Sequence, residues 1–176
     1  MMIDVDHFKA VNDVHGHAAG DAVLKQCAAV LQRQLRESDT LVRWGGEEFL
    51  VLAHQTSAAD IHLLAERLRA GIASHEFLLD DGQVLRKTCS IGYACHPLGR
   101  GAAGEPPMDW NDSVALADQC LYVAKASGRD HWVGVSAWDL ALVRSHPEIR
   151  ELRTGVQAGL WTLHCREGRA LTWPDA

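Results

Sequence analysis

A run of apolar, β-prone residues interrupted by two consecutive glycines restricts the fold more than any other stretch of this 176-residue chain. The run covers residues 41–52, and the pair Gly45-Gly46 lies near its centre. Because glycine accepts the positive backbone φ that tight hairpin turns require, the pattern predicts a β-hairpin. Glu47 and Glu48 open the return strand, where successive side chains point to opposite faces of a sheet. Taken alone, such an acidic pair is typical of a solvent-exposed hairpin tip.

A second group of acids, at residues 1–6, changes that interpretation. This short apolar run ends in Asp4 and Asp6, which predicts a buried strand with both acids on one face. Functional groups of α/β sheets collect at such strand ends. If the strand lies beside the hairpin, its acids meet Glu47 and Glu48 at one edge of the sheet. Because the run begins abruptly, we expect the natural domain to start further upstream.

Carboxylates gathered in this way favour hard divalent cations. Mg²⁺ prefers oxygen ligands, often one or two carboxylates plus substrate phosphates, and two ions about 4 Å apart can activate a hydroxyl and stabilise a leaving pyrophosphate. Lys9, Lys125 and Arg129 are cationic groups that a phosphate chain would need. Asn12 and Asp21 have the chemistry to contact the edge of a nucleobase. Each of the five has an ordinary alternative as a solvated helix charge, a turn residue or a helix N-cap, and residue types alone leave both open.

Hydrophobic spacing predicts an α+β domain in which helices pack on a sheet that contains hairpins, in the order β-α-α-β-β-α-β-β-α-β. A short helix from residue 7 is expected to end in a glycine-containing turn, followed by helices at 21–35, 57–72 and 112–127. Besides the hairpin, strands are expected at 1–6, 76–79, 84–94 and 131–135, with a Gly- and Pro-rich loop at 98–107. In the tail, the pattern predicts a helical stretch at 147–154 and a hairpin at 160–173.

Composition argues against several classes of protein. The formal net charge of −6 and the isoelectric point near 5.9 argue against a nucleic-acid polymer as partner. The five cysteines form no CxxC pair, which argues against a disulfide framework or a zinc site. No apolar run is long enough to span a membrane, and there is no signal-peptide pattern. We therefore expect a cytoplasmic protein without membrane contact.

Several short motifs follow one another in a fixed order along the chain. They are Asp4-Val5-Asp6-His7-Phe8-Lys9, Asn12-Asp13, Gly16-His17, Gly20-Asp21, Arg43-Trp44-Gly45-Gly46-Glu47-Glu48-Phe49, Ser90-Ile91-Gly92-Tyr93-Ala94, Ala117-Asp118, Leu121-Tyr122-Val123-Ala124-Lys125 and Gly128-Arg129-Asp130. This set resembles the GGDEF domain of diguanylate cyclases from residue 1 to about residue 135. The resemblance implies the nucleotide-cyclase-like fold, a mostly antiparallel five-stranded central sheet flanked by helices. It divides the chain into a GGDEF domain at 1–137, without its usual first helix and part of its first strand, and a C-terminal extension of unknown role at 138–176.

The same resemblance implies a role for each candidate residue. It implies metal ligands at Asp4, the Val5 carbonyl and Glu47, catalytic roles for Glu47, Glu48 and Lys9, guanine and ribose contacts from Asn12, His17 and Asp21, and triphosphate contacts from Lys125 and Arg129. Two Mg²⁺ or Mn²⁺ ions per site would serve a reaction that joins two GTP into cyclic di-GMP and releases two pyrophosphates. Each protomer binds one GTP, so catalysis implies an antiparallel homodimer. The implied setting is bacterial signalling, including the control of biofilms.

Arg36 and Asp39 match a regulatory motif of the same family, the RxxD product-inhibition site that precedes the Gly-Gly pair. The resemblance implies that both bind cyclic di-GMP, with Arg67 as a secondary contact from a neighbouring domain. The alternative for Arg36 and Asp39 is an ordinary ion pair on the surface. For the whole chain, the alternative is a catalytically inactive GGDEF domain that acts as a receptor for cyclic di-GMP or GTP. The sequence leaves both alternatives open.

Overall fold

The computed structural model describes residues 1–96, 110–137, 151–168 and 170–174. Within these ranges the strands are β1 (Met2–Val5), β2 (Thr40–Gly45), β3 (Glu48–Leu52), β4 (Phe77–Leu78), β5 (Val84–Leu85), β6 (Cys89–Ala94), β7 (Trp132–Ala137) and β8 (Trp161–Cys165). The helices are α1 (Phe8–Gln34), α2 (Ile61–Ser74), α3 (Trp110–Ala126) and α4 (Leu152–Gln157). The predicted loop at 98–107 and the start of the predicted helical stretch at 147–154 lie outside the described residues.

One sheet contains six of the described strands, in the order β2-β3-β1-β6-β7-β8. Neighbouring strands run antiparallel except β6 and β7, which are parallel. The predicted α+β class and the mostly antiparallel sheet are therefore confirmed. The five strands expected within residues 1–137 are present as β2, β3, β1, β6 and β7, and β8 of the tail adds a sixth strand at the edge.

The acidic strand lies in the middle of this sheet, beside the hairpin. β1 pairs with β3, with Asp4 opposite Glu48, and on its other side with β6, with Asp4 opposite Ser90. The hairpin formed by β2 and β3 turns at Gly46, whose φ is 51°. The predicted juxtaposition of the two acidic groups is thus present in the fold.

Both faces of the sheet are covered by helices. α1 and α2 pack on one face, where Ile3 and Ile91 belong to a shared core cluster. α3 packs on the other face against Met2 and Leu50. The tail extends this second face, because Trp161 of β8 is buried in the same cluster as residues of α3, α4 and β7. None of the described helices combines the length and apolar character needed to cross a membrane.

Helix α1 is broken by Gly16, whose φ of 82° and ψ of 166° are not helical. The left-handed region of φ that Gly16 adopts favours glycine over residues with a side chain. The first segment follows β1 directly, and the second buries Val23, Leu24 and Leu31 in the core. The predicted short helix, glycine turn and longer helix correspond to this arrangement.

Two glycines in the sheet allow close packing that a Cβ atom would prevent. A Cβ on Gly92 would lie 2.0 Å from the carbonyl oxygen of Ala117, so α3 rests directly on the backbone of β6. A Cβ on Gly134 would lie 2.0 Å from Cζ of Tyr93, which pairs with Gly134 across β6 and β7. The Ser-Ile-Gly-Tyr-Ala motif therefore has a packing role.

Two predicted strands differ from the structure. The expected strand at 84–94 is divided into β5, which pairs only with β4, and β6, which belongs to the main sheet. Between them, Lys87 Nζ donates to the carbonyl oxygen of His7, and Thr88 Oγ1 donates to Asp6. The expected hairpin at 160–173 is wrong, because β8 pairs with β7 and the described residues after it form no strand. Thr172 instead donates its backbone N–H to Ser127 Oγ, at 2.9 Å.

Candidate active site

The candidate site lies where β1, β3 and α3 meet. Ile3 and Val5 lie in the core beneath α1 and α2, so the alternation of side chains along β1 directs Asp4 to the face covered by α3. Glu48 is the cross-strand neighbour of Asp4 in β3. Such neighbours have Cβ atoms about 4.5–5.5 Å apart. The strand pairing therefore brings the upstream acid and one hairpin acid into the same site.

Helix α3 supplies a cation to this acid. Lys125 Nζ lies 2.7 Å from Asp4 Oδ2, and Asp4 is only 7% exposed. Burial raises the pKa of Asp4, while the hydrogen bond from Lys125 and the charge of Arg129 act in the opposite direction. Lys125, one of the three predicted phosphate-binding cations, thus lies beside the acid.

The two hairpin glutamates are half-buried at the start of β3. The carbonyl oxygen of Glu47 accepts the backbone N–H of Val5 at 3.3 Å, which places Glu47 next to the predicted carbonyl ligand. Burial and the neighbouring carboxylate of Asp4 raise the pKa of Glu48. The carboxylate of Asp4 therefore makes the negative charge of Glu48 less favourable, and a bound cation would relieve that repulsion.

The turn between the glutamates and β2 is stiffened by an arginine. Arg43 donates through Nε and Nη2 to the carbonyl oxygen of Gly46, at 3.0 and 2.8 Å. The register of β2 against β3 shifts between Arg43 and Gly45, which indicates a β-bulge. Bulges often redirect side chains next to active sites, and this one immediately precedes the acidic pair.

The donor atoms at this edge suit a hard cation. Asp4, Glu47 and Glu48 offer carboxylate oxygens and Val5 offers a carbonyl oxygen, which are the ligands of Mg²⁺ and Mn²⁺. Within the described part of the chain, no group of three His, Cys, Asp or Glu side chains is close enough to hold a metal ion by itself. A metal ion here would therefore need further oxygens, and substrate phosphates commonly supply them to Mg²⁺.

The loop after α3 carries the second cation in an unusual backbone conformation. Gly128, Arg129 and Asp130 all have positive φ, of 97°, 59° and 45°. The backbone N–H of Asp130 donates to Asp6 Oδ2 at 3.0 Å. Arg129 therefore lies in the chain between Lys125, which contacts Asp4, and Asp130, which contacts Asp6.

Asp6 has a structural part in the site that the sequence did not reveal. It is 2% exposed and accepts hydrogen bonds from Thr88 Oγ1 at 2.6 Å, Ser90 Oγ at 2.7 Å and the backbone N–H of Asp130. Asp6 thus ties the end of β1 to β6 and to the loop after α3. Thr88 and Ser90 were the sequence signal for this role, because a buried carboxylate needs hydrogen-bond donors such as their hydroxyl groups.

The predicted base-contacting residues lie along α1. His17 and Asp21 are exposed, while Asn12 is half-buried and its Oδ1 has no hydrogen-bond partner among the described residues. A Cβ on Gly20 would lie 2.0 Å from this oxygen, so the glycine leaves room for the amide. A pocket of about 350 Å³ between α1 and the hairpin is lined by Asp21, Leu24, Lys25, Ala28, Leu41, Arg43 and Phe49.

Lys9 is exposed in the first turn of α1, and the structure shows no ion pair between it and any described residue. The first turn of a helix presents backbone N–H groups without intrahelical partners, and such groups bind phosphate well. Because α1 begins directly after β1, this helix end lies close to the acids. The structure does not bring the Lys9 side chain into contact with the acidic edge.

The RxxD motif has a defined structural role. Asp39 is buried, and its two carboxylate oxygens accept the backbone N–H groups of Arg36 and His54, each at 3.0 Å. The guanidinium of Arg36 is not paired with Asp39 in the described structure, so the alternative of an ordinary surface ion pair is wrong. Arg67 Nη2 donates to the carbonyl oxygen of Gln34 at 2.8 Å, which places Arg67 and Arg36 at the same end of α1.

Sequence comparison groups the chain with known proteins. The sequence model described as diguanylate cyclase, GGDEF domain, matches residues 1–131. The chain is 45% identical to diguanylate cyclase DgcP of Pseudomonas aeruginosa over 129 residues, which is 73% of this chain and 18% of that protein. It spans no more than 34% of the next three curated relatives.

Two solved structures share the fold. The GGDEF domain of DgcB from Caulobacter crescentus, in complex with c-di-GMP, superposes with a TM-score of 0.64 at 29% identity, over 73% of this chain and 72% of that one. The active GGEEF domain of a diguanylate cyclase from Vibrio cholerae superposes with a TM-score of 0.60 at 32% identity, over 73% and 76% of the two chains. Residues 45–49 of this chain have the same five-letter motif that is named for the second structure.

Proposed function

Since the chain belongs to the GGDEF family of diguanylate cyclases, we propose that it joins two GTP molecules into cyclic di-GMP and releases two pyrophosphates. One observation carries the proposal. Asp4 and Glu48 are opposite each other in adjacent strands, and Lys125 lies 2.7 Å from Asp4. Paired carboxylates with a cation beside them suit a metal-bound triphosphate.

Asp4, the carbonyl of Val5 and Glu47 would hold two Mg²⁺ or Mn²⁺ ions. The ions would polarise the α-phosphate and make the 3′-hydroxyl easier to deprotonate. Glu48 is the proposed acceptor of that proton, since it lies opposite Asp4 in the adjacent strand, beside the proposed metal ligands.

The cations of the site would hold the triphosphate. Lys125 lies 2.7 Å from Asp4, and Arg129 follows it in the loop after α3, where the Asp130 amide contacts Asp6. Lys9 and the N-terminal turn of α1 would meet the phosphates from the other side, and Lys9 would stabilise the charge that develops during transfer.

The base would lie between α1 and the hairpin. Asp21 lines the pocket there, and its carboxylate can accept from the ring N–H and exocyclic amine of guanine. Adenine lacks that pair of adjacent donors, so Asp21 favours GTP over ATP. Asn12 and His17 would add contacts to guanine and ribose from the same helix.

One such site binds one GTP, so turnover requires two copies that face each other in an antiparallel dimer. Product inhibition would act at Arg36 and Arg67, which are exposed at one end of α1. Asp39 would support that site by holding the turn, because backbone groups already occupy both of its oxygens. The proposed catalytic domain is 1–137.

The test is product formation from GTP and Mg²⁺ by the parent chain and by a Glu47→Ala, Glu48→Ala double variant. We expect cyclic di-GMP from the parent and none from the double variant. A matched control is Glu76→Ala, which removes an exposed glutamate whose only described ion pair, with Arg86, is on the surface. This control should keep the parent's rate.

The proposed activity would be refuted by a parent chain that folds but does not turn over GTP. A folded parent that makes no product, but binds cyclic di-GMP in a way that Arg36→Ala abolishes, would refute the cyclase. Such a result would assign the chain to the receptor class.

A further inference from the structure

The loop that carries Arg129 is held from three sides, and one of them is the C-terminal tail. Asp130 forms ion pairs through its carboxylate with Arg69 of α2 and with Arg166, just after β8, the latter at 3.4 Å. Arg166 Nη1 also donates to the carbonyl oxygen of Asp130 at 3.1 Å. The backbone N–H of Asp130 donates to Asp6. Every polar group of Asp130 is therefore engaged.

This loop needs support because of its backbone. Arg129 and Asp130 have φ values of 59° and 45°, a region that side-chain-bearing residues rarely adopt. Two such residues in succession persist only where surrounding contacts hold them, and such conformations cluster at functional sites. The contacts made by Asp130 do this together with a backbone hydrogen bond from the Arg129 N–H to the carbonyl oxygen of Ala124, at 3.2 Å.

The supporting groups form an alternating arrangement of charge. Arg69 is 6% exposed and donates to both carboxylate oxygens of Glu66, at 3.0 and 2.7 Å, as well as to Asp130. Arg166 Nε lies 3.7 Å from Glu66 Oε2. Two arginines thus bridge the same two acids. The indole N–H of Trp132 also donates to Glu66, at 3.0 Å, which connects the arrangement to β7.

We propose that Arg166 is a positioning residue for the triphosphate. By fixing Asp130, it holds the backbone of Arg129 between Lys125, which contacts Asp4, and the Asp130 amide, which contacts Asp6. The inference rests on the proposed function, which places the triphosphate at Arg129, and it deepens that function. Arg166 lies outside residues 1–131, the part that matches the family. The tail therefore contributes to the phosphate subsite of this chain without touching the nucleotide.

The geometry requires arginine at this position. A guanidinium presents several donors in a rigid fork, and Arg166 uses them for Glu66 and for two different oxygens of Asp130. A lysine at 166 has the charge but a single point of contact, so it should restore only part of the effect. If the positive charge at 166 alone mattered, Arg166→Lys would restore nucleotide binding fully. Partial restoration therefore indicates that the guanidinium positions the loop.

The test compares the full chain with Arg166→Ala in nucleotide binding and in turnover. Binding is measured by calorimetry with Mg²⁺ and 3′-deoxy-GTP, which lacks the attacking hydroxyl. We expect the Kd for this analogue and the KM for GTP to rise about fivefold, the upper range for a partly exposed ion pair, with kcat within about twofold. Arg166→Lys should lie between parent and Arg166→Ala. Arg153→Ala, an exposed arginine of the same tail, should leave both constants unchanged.

Amide hydrogen exchange without nucleotide gives a second measurement. Arg166→Ala should accelerate exchange of the Asp130 amide about fivefold and leave the amides of β1 and β3 as in the parent. If Arg166→Ala fails to fold, Arg166→Gln, which keeps most of the side chain, carries the same comparison.

The outcomes separate this inference from the proposed function. An unchanged Kd and KM, or an unchanged exchange rate at Asp130, overturns the positioning role of Arg166. A parent chain that fails to bind the analogue overturns the proposed function. In that case exchange at Asp130 still decides whether Arg166 holds the loop.

Discussion

The contact between α3 and β6 leads to a quantitative prediction for Gly92→Ala. The added methyl would lie 2.0 Å from Ala117 O, 2.2 Å from Leu121 N and 2.8 Å from Leu121 Cα. Carbon atoms approach neighbours favourably at about 3.5 Å, so α3 would have to move outward by about 1.5 Å. The obstructing atoms are backbone atoms of a 17-residue helix, and no rotamer change can remove them.

The energetic consequence follows from two opposing terms. Overpacking a core costs about 1–3 kcal/mol, and a backbone clash belongs at the upper end. Alanine recovers about 0.5–1 kcal/mol of the conformational entropy that glycine loses in a strand. We therefore expect Gly92→Ala to lower the free energy of unfolding by about 2–2.5 kcal/mol, which corresponds to a Tm lower by about 4–10 °C for a domain of this size.

The same displacement should reduce activity. Lys125 is carried by α3, and its Nζ lies 2.7 Å from Asp4 Oδ2. Outward movement of the helix by more than an ångström would take this contact beyond hydrogen-bonding distance. Product formation should fall even at temperatures where the Gly92→Ala variant is fully folded.

Urea unfolding followed by tryptophan fluorescence is a suitable assay, since Trp132 and Trp161 are buried. Gly71→Ala in α2 is the matched control. A Cβ there would meet Gln34 and Val30 side chains at an ordinary 3.5 Å, and alanine is favoured over glycine in helices by about 1 kcal/mol. The control should be slightly more stable than the parent. Equal stability of Gly92→Ala and the parent would refute the argument from the close approach of α3.

Two further predictions concern charged side chains. Asp39→Ala should lower the free energy of unfolding by about 2 kcal/mol, because two backbone N–H groups lose their acceptor. Arg36→Ala should leave the stability unchanged in the same urea titration. Similar losses of stability in both variants would contradict the role of Asp39 as the acceptor that holds this turn. The hydrogen bond from Arg69 lowers the pKa of Glu66 below its usual 4.5. Near that pH the Glu66 carboxyl therefore binds more protons in the unfolded chain than in the folded one. The stabilisation of the folded state by the Glu66 carboxylate is complete above pH 4.5 and is lost as the pH falls through the folded pKa. Glu66→Gln should be less stable at neutral pH and lose less stability on acidification, and parallel pH profiles for parent and variant would count against it.

The sequence predicted the parts of the fold that depend on local signals. The hairpin followed from two consecutive glycines between β-prone residues, and the break in α1 followed from Gly16. These patterns occupy a few neighbouring residues, and their physical meaning does not depend on distant parts of the chain.

Local sequence patterns did not predict which distant strands pair with each other. The tail was expected to fold on itself around Gly168, but β8 found a free edge at β7, about thirty residues earlier in the chain. An edge strand offers a whole row of unpaired backbone groups, and a short local hairpin is only marginally stable by comparison. The strand at 84–94 was interrupted for a related reason, since Lys87 and Thr88 bond to other parts of the fold.

The roles of individual acids were also hard to assign from sequence. Asp4 and Asp6 have the same chemistry and lie two residues apart, yet Asp4 meets Lys125 while Asp6 accepts three hydrogen bonds from protein donors. Asp39 belongs to a motif that predicts a ligand site, yet its carboxylate oxygens accept the backbone N–H groups of Arg36 and His54. Burial and donor supply decide these roles, and both are properties of the assembled fold.

The central position of β1 has a consequence for how the site comes into being. Asp4 pairs with Glu48 on one side and with Ser90 on the other, so the acidic edge joins segments that are more than forty residues apart. Contacts of such sequence separation form only after long loops have closed, which is the slow part of folding. A fragment that lacks either β1 or β3 cannot contain the acidic pair in this arrangement. A nucleotide bound at this edge would stabilise the cooperative unit as a whole, so its affinity is measurable as a rise in the melting temperature of the entire sheet.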